Sequence, residues 1–331
     1  MRKLRIIFLG QGIKASKTLE RLNKNKSIDV IFCAPRISDH ENLSWFDDGI
    51  LSDKVNELGI ELLIHSDLNS DKFIDIVEKS KIDLIVNLGH GQLFKRNLIS
   101  SAKVGILNYH PGLLPFGRGS GAVVGEIINN AFSIGRTCHL VDEHFDRGII
   151  ISQQEFDISE TTTLNDASEL LNKDVDLFIN NAVEKVLTDF NNTDKVHKLG
   201  FGRYYPKFVE GDDFINWNDT SLNIYNKVRS RLFERLSVIY TKNDLKKFLV
   251  AGVKIANHVE DYISVNGQVI DKSSIGVLVK TNDSAIWITQ IIDPKTGEKY
   301  VPKFNIGKCF QTLNIFDFIN LMLNSKNIKG E

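Results

Sequence analysis

The sequence is poor in the residues that mark several classes of protein. Among its 331 residues are three cysteines, at positions 33, 138 and 309, too far apart for a Cys-x-x-Cys metal motif. An odd number of widely spaced cysteines also provides no disulfide framework. The apolar runs around Cys33 and Cys138 are typical of buried thiols. We therefore predict a protein without disulfide bonds and without a metal site.

Long apolar runs are missing as well. No stretch approaches the roughly 18 consecutive apolar residues that a membrane-spanning helix needs. The N-terminal stretch MRKLRIIFLGQG lacks the cleavage region of a signal peptide. These absences predict a cytoplasmic protein that does not interact with a membrane.

The chain has no excess of positive charge. Lys and Arg number 41 against 42 Asp and Glu, which gives a formal net charge of −1. Enzymes that act on nucleic acids usually carry a basic field, because phosphate contacts dominate their affinity. The balance therefore counts against a tRNA or DNA substrate. With 42% hydrophobic residues and this length, the composition is typical of a globular protein with two domains.

What is present is an alternation of short apolar runs with amphipathic segments. This pattern is typical of the α/β class, with a doubly wound, Rossmann-like parallel sheet covered by helices. Residues 135–142 and 148–158 are longer runs joined by a tight polar link, which predicts a strand pair near one edge. Residues 161–190 predict one long helix, capped by Thr163 and carrying an apolar stripe.

The character of the sequence changes near residue 190. Residues 191–212 are polar and contain glycine and aromatic residues, which favours a linker. Further on, short strand-like runs are separated by turn signals such as Asn266-Gly267. We therefore predict a first domain over residues 1–190, a linker over 191–212 and a small OB-like β domain over 213–325.

A glycine-rich turn follows the first strand. Residues 10–15, GQGIKA, fit the G-x-G-x-x-A fingerprint of dinucleotide-binding folds. The second strand should then end in an acidic residue that binds the ribose, but it ends in Cys-Ala-Pro-Arg. Arg36 could bind the 2′-phosphate of NADP, so an NADP site is an alternative. The missing acid favours a tight strand-to-helix turn without a bound dinucleotide.

The most unusual stretch is GILNYHPGLLPFGRGSGAVV, residues 105–124. Asn108 and His110 stand at the end of a strand of the predicted parallel sheet, the edge at which such folds bind ligands. Alternation along the strand places both side chains on one face and Tyr109 on the other. An amide and an imidazole on one face can stabilise negative charge that develops on a carbonyl oxygen. The alternative is that the pair only satisfies backbone groups of a turn.

A second polar stretch is HLVDEHFDRGII, residues 139–150. Asp142 and Asp146 fall in a turn between two apolar runs, and Gly148 permits close approach of the backbone. An aspartate beside a histidine can tune the pKa of that histidine or accept a proton. The sequence contains no motif for a nucleophilic side chain. The polar residues of the two stretches therefore favour acyl transfer without a covalent enzyme intermediate.

These stretches resemble the motifs of the formyltransferase family. NYHPGLLPFGRG is similar to the signature N-x-H-x-x-L-L-P-x-x-R-G, and VDEHFDRGII is similar to its D-x-x-x-D-x-G partner. DDFINWN resembles the Asp-x-x-Ile-x-Trp segment that opens the C-terminal domain of methionyl-tRNA formyltransferases and their relatives. The resemblance implies 10-formyltetrahydrofolate as formyl donor, a primary amine as acceptor and no metal. The catalytic residues that it implies are Asn108, His110 and Asp146.

The resemblance also suggests where the folate binds. NLGHGQLF lies where the family binds the pterin of the folate. The expected cofactor contacts are Leu88, Gly89, His90, Gly91, Gln92, Leu93 and Asp142. The loop after the second strand, residues 35–49, is acidic and therefore a poor surface for RNA. The expected acceptor contacts are Gln11, Gly12, Trp45, Arg118, Tyr204 and Tyr205.

The identity of the acceptor is less well defined by the sequence. Family members of this layout formylate nucleotide-linked amino sugars for surface polysaccharides such as the O-antigen of lipopolysaccharide, and we favour this class. Methionyl-tRNA and hydroxyornithine are the alternative amines. An alternative of another class is a C-terminal domain that binds nucleic acid or sugar, with Tyr262 and Trp287 as stacking residues. The expected oligomer is a homodimer, the commonest soluble assembly.

Overall fold

The computed structural model describes residues 2–36, 50–189, 202–209, 211–231, 236–242, 246–257 and 262–312. Trp45, the acidic loop around it and residues 190–201 of the predicted linker region lie outside these ranges. The chain divides into two compact units. The first consists of residues 1–123, 133–158 and 167–207, and the second of residues 124–132, 159–166 and 208–331.

The first unit is built on one seven-stranded sheet. Its strands are β1 (Leu4–Gly10), β2 (Ile28–Pro35), β3 (Glu61–Leu62), β4 (Leu84–Leu88), β5 (Gly105–His110), β6 (Ser133–Leu140) and β7 (Ile149–Asp157). Their order is β3-β2-β1-β4-β5-β6-β7, with parallel pairing from β3 to β5 and antiparallel pairing from β5 to β7. The structure confirms the Rossmann-like sheet and the strand pair predicted at one edge.

Helices pack on both faces of this sheet. The helices that precede residue 190 are α1 (Gly12–Lys24), α2 (Ile50–Glu57), α3 (Asp71–Lys79), α4 (Arg96–Ser101), α5 (Ala122–Ile128), α6 (Leu164–Asn172) and α7 (Val175–Asp189). Alternate residues of β1 enter two separate apolar cores, Ile6 and Phe8 one, Ile7 and Leu9 the other. The first core is completed by α1, α2 and α7, and the second by α3 and α4. Burial on both sides explains why the strands are continuously apolar.

The segment predicted as one helix, residues 161–190, forms two helices, so that prediction is wrong. At the end of α6 the carbonyl oxygen of Leu171 accepts hydrogen bonds from the Tyr109 hydroxyl and from Arg136 Nη1, each at 3.0 Å. Asp174 then adopts a φ of 49°, which turns the chain out of the helical path. Periodicity could not reveal this break because the groups that bind the helix end come from distant strands.

The second unit contains helix α8 (Ser221–Arg229) and an antiparallel sheet. The strands of this sheet are β8 (Ser237–Thr241), β9 (Lys247–Ile255), β10 (Val269–Ser273), β11 (Gly276–Lys280), β12 (Ala285–Ile292), β13 (Lys299–Tyr300) and β14 (Phe310–Gln311). They lie in the order β10-β11-β12-β9-β8-β14, and β13 pairs with β12. A C-terminal β domain of this kind was predicted from the sequence, and the fold confirms it.

The Asp-x-x-Ile-x-Trp segment supplies the core of the second unit. Ile215 and Trp217 are buried in its main apolar cluster, and the indole of Trp217 stacks on Phe310 with 5.7 Å between the ring centroids. Trp287 is half-buried against a smaller cluster, whereas Tyr262 is 38% exposed. The two aromatic side chains therefore do not form an exposed pair for stacking.

Two short segments of the predicted first domain cluster with the second unit, namely residues 124–132 and 159–166. Their common partner is Arg229, which is buried at the end of α8. Its guanidinium donates to the carbonyl oxygens of Thr162 at 2.7 Å and Ile127 at 3.3 Å, and to Asn130 Oδ1 at 3.1 Å. A buried charge needs such partners, and here two backbone oxygens and one side-chain oxygen provide them.

Substitution of Trp217 by alanine tests the role of this side chain in the second unit. Trp217 is fully buried, so the loss of its ring is expected to destabilise the unit by about 3–5 kcal/mol. Denaturant unfolding followed by circular dichroism measures the change. Tyr262→Ala is the control, since exposed positions usually change stability by no more than about 0.5 kcal/mol. Equal stability of the two variants would contradict the core assignment.

Candidate active site

The candidate site lies at the carboxyl ends of β4 and β5. Asn108 and His110 are on the same face of β5, opposite His139 and Thr137 of β6. Tyr109 faces the other way and packs edge-on against Phe178 of α7, with 6.4 Å between ring centroids. The alternation expected from the sequence therefore brings the amide and the imidazole to one side of the sheet.

Asp146 joins this pair from the turn between β6 and β7. Its Oδ1 lies 3.6 Å from His110 Nδ1 and 3.6 Å from His139 Nε2, while its Oδ2 accepts the backbone N–H of Gly119 at 2.8 Å. Asp146 has a φ of 51°, a left-handed conformation that aspartate tolerates better than most residues. One carboxylate thus contacts two histidines and the loop after β5.

Close packing of the backbone holds this turn. A Cβ at Gly148 would lie 1.6 Å from the carbonyl oxygen of Leu140, so only glycine fits at the start of β7. This is the close approach that the sequence predicted for Gly148.

The charge of Asp146 is stabilised by its surroundings. Burial raises the pKa of this carboxyl, but the hydrogen bond from His139, the charge of His110 and the Gly119 N–H outweigh it and lower the pKa to about 2. Burial also lowers the pKa of His110, and the nearby carboxylate opposes that shift. Asp146 is therefore ionised throughout the physiological pH range, and its charge favours protonation of the histidine beside it.

The loop after β5 is held in place by contacts with β6. His110 Nε2 donates to the carbonyl oxygen of Gly117. The side chain of Leu113 fills the space above Gly135, where a Cβ would approach within 2.3 Å. The hydroxyl of Thr137 donates to the Gly112 carbonyl at 2.7 Å and accepts the Leu114 N–H at 3.3 Å. The side chain of Leu113 therefore packs the loop against β6.

Sequence reasoning missed two side chains of the site. His139 is fully buried, and its Nε2 lies 3.1 Å from Asn108 Nδ2. Asn87, 4% exposed at the end of β4, donates from Nδ2 to Asn108 Oδ1 at 2.7 Å. A polar residue near the end of an otherwise apolar strand was the available signal for Asn87, whereas His139 lies in a strand that already contains Arg136 and Thr137. The lateral pairing could not be read without the register of the strands.

The predicted cofactor loop, Leu88–Leu93, follows β4 directly. Gly89 and Gly91 have φ values of 88° and 77°, which only glycine adopts readily. His90 is 5% exposed, and neither ring nitrogen has a hydrogen-bond partner among the described residues. Gln92 is used to fix the loop, since its Oε1 accepts the Leu68 N–H at 3.1 Å. Leu93 is 42% exposed.

The turn between β1 and α1 lies at the same edge of the sheet. Gly10 pairs with Leu88, and a Cβ at Gly10 would lie 2.7 Å from Cβ of Ala15, so the glycine allows the helix to pack on the strand. Gly12 has a φ of 66°. Gln11 Oε1 is buried without a hydrogen-bond partner in the described part of the chain. The fingerprint thus serves the tight turn that the sequence favoured.

Asp142 is placed differently from Asp146. Its carboxylate is 46% exposed and accepts the backbone N–H of His144 at 2.9 Å within the same turn. This contact stabilises the turn. The cofactor role expected for Asp142 stays a prediction.

The segment that contains Tyr204 and Tyr205 runs alongside Arg118. The N–H of Arg118 donates to the Arg203 carbonyl at 3.1 Å, and the N–H of Tyr205 donates to the Arg118 carbonyl at 2.8 Å. Arg118 itself is buried. Tyr204 is 51% exposed, and its ring lies against Gly119, the residue that donates to Asp146. Gly119 therefore contacts both the exposed ring of Tyr204 and the carboxylate of Asp146, the catalytic candidate.

Two classes of feature are not found in the described residues. No group of three or more His, Cys, Asp or Glu side chains there is arranged to hold a metal ion. No helix in the same ranges combines the length and apolar character needed to cross a membrane.

Comparison with known proteins gives consistent matches over both units. Residues 4–180 match the family model described as formyl transferase, and residues 207–304 match the model for the formyl transferase C-terminal domain. A methionyl-tRNA formyltransferase from Finegoldia magna is 24% identical over 320 residues, which cover 93% of this chain and 98% of that protein.

Solved structures with a similar fold include two N-formyltransferases. An N-formyltransferase from Helicobacter canadensis, in complex with folinic acid and dTDP-3-aminofucose, aligns with a TM-score of 0.64 at 19% identity. The alignment covers 86% of this chain and 99% of that one. WlaRD, a sugar 3N-formyltransferase crystallised with dTDP and 5-N-formyl-THF, aligns with a TM-score of 0.61 at 19% identity over 87% of this chain and 98% of its own.

The buried His90 predicts a specific dependence of stability on pH. Burial, followed by the charge of Arg36, lowers the pKa of His90 from 6.5 to about 4. Between these values the unfolded chain binds a proton at this residue and the folded chain does not. The free energy of unfolding should therefore fall by about 3 kcal/mol as the pH decreases from 6.5 to 4.

Denaturant unfolding of wild type, His90→Phe and His90→Gln at pH 7.5 and pH 4 tests this expectation. Both replacements are neutral at either pH, so both variants should lose less stability on acidification than the wild type does. Comparing the two separates the lost titration from altered packing. Equal acid-induced losses in all three proteins would refute the assignment.

Proposed function

The chain belongs to the formyl transferase family, and we propose that it transfers a formyl group from 10-formyltetrahydrofolate to a primary amine. The observation that carries this proposal is the cluster at the carboxyl edge of the sheet. There Asp146 lies 3.6 Å from both His110 and His139, and Asn108 Nδ2 lies 3.1 Å from His139. The buried thiols of Cys33 and Cys138 agree with a cytoplasmic enzyme.

The loop of residues 88–93 fits a flat heteroaromatic ring with several polar atoms. In the described part of the chain no atom lies within 4 Å of a Cβ placed at Gly89, so a ligand can approach this backbone closely. The ring nitrogens of His90 and Oε1 of Gln11 are buried polar atoms without partners in the described residues, and a ligand would satisfy them. The folate, when bound, supplies the formyl group and a nitrogen that leaves with a proton.

Asn108 carries the main electrostatic role in the proposed reaction. The bond from Asn87 leaves the Nδ2 end of the Asn108 amide facing the site, where an N–H can donate to the formyl oxygen as negative charge develops on it. His110 Nε2 already donates to one carbonyl oxygen, that of Gly117, and would exchange it for the formyl oxygen. Both donors stabilise the same developing charge.

Asp146 acts through its charge. Its pKa of about 2 makes this carboxylate too weak a base to retain a proton at neutral pH. The carboxylate instead attracts the positive charge that forms on the attacking amine, and it opposes the lowering of the His110 pKa by burial. The proton of the amine is then released to solvent or to the leaving nitrogen.

For the acceptor we propose a nucleotide-linked amino sugar. Tyr204, half exposed beside Gly119, offers a surface on which a base can stack near Asp146. Arg203, which donates from Nη1 to the Tyr205 hydroxyl at 3.1 Å, adds a cation for a diphosphate. The net charge of −1 and the fold shared with two sugar formyltransferases support the same class. Such a product would serve surface polysaccharides such as O-antigens.

Methionyl-tRNA is the second candidate acceptor. The observation in its favour is the sequence match with methionyl-tRNA formyltransferase over 93% of the chain. The balance of 41 basic against 42 acidic residues counts against it, because tRNA binding depends on neutralised phosphates.

Replacement of Asn108 by alanine removes one donor to the formyl oxygen. We expect kcat to fall by about 100- to 1,000-fold, while affinity for folinic acid is kept. Steady-state kinetics and isothermal calorimetry measure the two quantities. The control is Asn223→Ala on the exposed side of α8, which should retain wild-type kcat. Wild-type turnover by Asn108→Ala would remove Asn108 from the mechanism.

A panel of amines tests the acceptor class. The assay follows release of tetrahydrofolate from 10-formyltetrahydrofolate in the presence of dTDP- and UDP-linked amino sugars, hydroxyornithine or methionyl-tRNA. Turnover is expected with a nucleotide-linked amino sugar and not with the free sugar, since the nucleotide provides the stacking and diphosphate contacts. Turnover with methionyl-tRNA alone would show that the acceptor is the tRNA and not an amino sugar. No turnover with any amine would contradict the proposed function.

A further inference from the structure

Three polar side chains form a row across adjacent strands of the first unit. Asn87 of β4 lies directly opposite Asn108 of β5, which lies directly opposite His139 of β6. The two outer members of the row, Asn87 and His139, are 4% and 0% exposed. Buried polar groups are costly unless each finds a partner, so the hydrogen bonds along this row must be mutually consistent.

The direction of these bonds is fixed at one end by the backbone. The N–H of His90 can only donate, and it lies 3.0 Å from Asn87 Oδ1. The opposite end of the Asn87 amide is therefore Nδ2, which donates to Asn108 Oδ1 at 2.7 Å. Asn108 must then direct its own Nδ2 toward His139 Nε2, 3.1 Å away.

The chemistry needs this orientation of Asn108. An amide has nearly the same shape in either orientation, so packing alone selects weakly between them. In the observed orientation one N–H of Nδ2 points to His139 and the other is available for a carbonyl oxygen. In the reversed orientation Oδ1 would face that oxygen and repel it.

We propose that Asn87 is a positioning residue, which holds Asn108 in the orientation that donates to the formyl oxygen. This inference rests on the proposed formyl transfer and deepens it. Because Asn87 takes its own orientation from the N–H of His90, it also links Asn108 to the backbone of the loop at residues 88–93.

The sharpest test is Asn87→Asp, because the two side chains have the same shape. The carboxylate still accepts the His90 N–H, so affinity for folinic acid should stay close to wild type. The second carboxylate oxygen of the substituted residue replaces the Nδ2 donor of Asn87. It can only accept from Asn108, so the Asn108 amide must reverse to direct its Nδ2 toward it. We expect kcat to fall by about 100- to 1,000-fold, as for the loss of one donor to the reacting oxygen.

Asn87→Leu removes both hydrogen bonds of the Asn87 amide at once. Leucine suits a buried strand but makes neither bond, so the loop loses its acceptor and Asn108 loses its orientation. Both kcat and the affinity for folinic acid should fall. This variant also decides the question if Asn87→Asp does not fold, since wild-type values of both quantities in Asn87→Leu would overturn the inference.

The matched control is Asn180→Asp in α7. Asn180 is also buried, accepts from Asn25 Nδ2 at 2.9 Å and donates to Glu184 at 3.2 Å, but it has no bond to the row. Its substitution should lower the melting temperature and leave kcat unchanged. Wild-type kcat in a folded Asn87→Asp would refute the positioning role. Absence of formyl transfer by the wild-type enzyme itself would refute the proposed function instead.

Discussion

The site depends on one constraint, the burial of a charged carboxylate. Asp146 is largely removed from water, and an isolated charge in such a place would be neutralised. It stays ionised because two imidazoles and the Gly119 N–H surround it. To meet at this point, the β6–β7 turn, the end of β5 and the loop after β5 must each take a specific path. The glycines and tightly packed leucines of that loop follow from this requirement.

The fold was largely predictable because its signals are local. Apolar runs of strand length alternate with helical patterns, and this alternation alone indicates a parallel sheet with two covered faces. The prediction failed where a distant group decided the outcome. Asp174 interrupts the long helix because Tyr109 and Arg136 bind the carbonyl group of Leu171. The sequence of residues 161–190 gives no signal of that contact, because both partners lie outside the segment.

The candidate site divides in the same way. Asn108, His110 and Asp146 could be proposed because each sits in a short stretch of unusual composition, and the structure brings them together. His139 and Asn87 were not predicted because each acts through its pairing with Asn108 on the neighbouring strand. Only the strand register reveals that pairing. Trp45 lies outside the described residues.

The antiparallel hairpin of β6 and β7 has a consequence for how the site assembles during folding. His139 and Asp146 are separated by seven positions and are joined by the hairpin turn alone. The entropy lost in closing so short a loop is small, and hairpins form within microseconds. One of the three contacts around the carboxylate, that with His139, can therefore arise early and locally. The contacts with His110 and the Gly119 N–H form only when β5 and the loop after it join the hairpin, so slow assembly of the central sheet would delay activity more than it delays this turn.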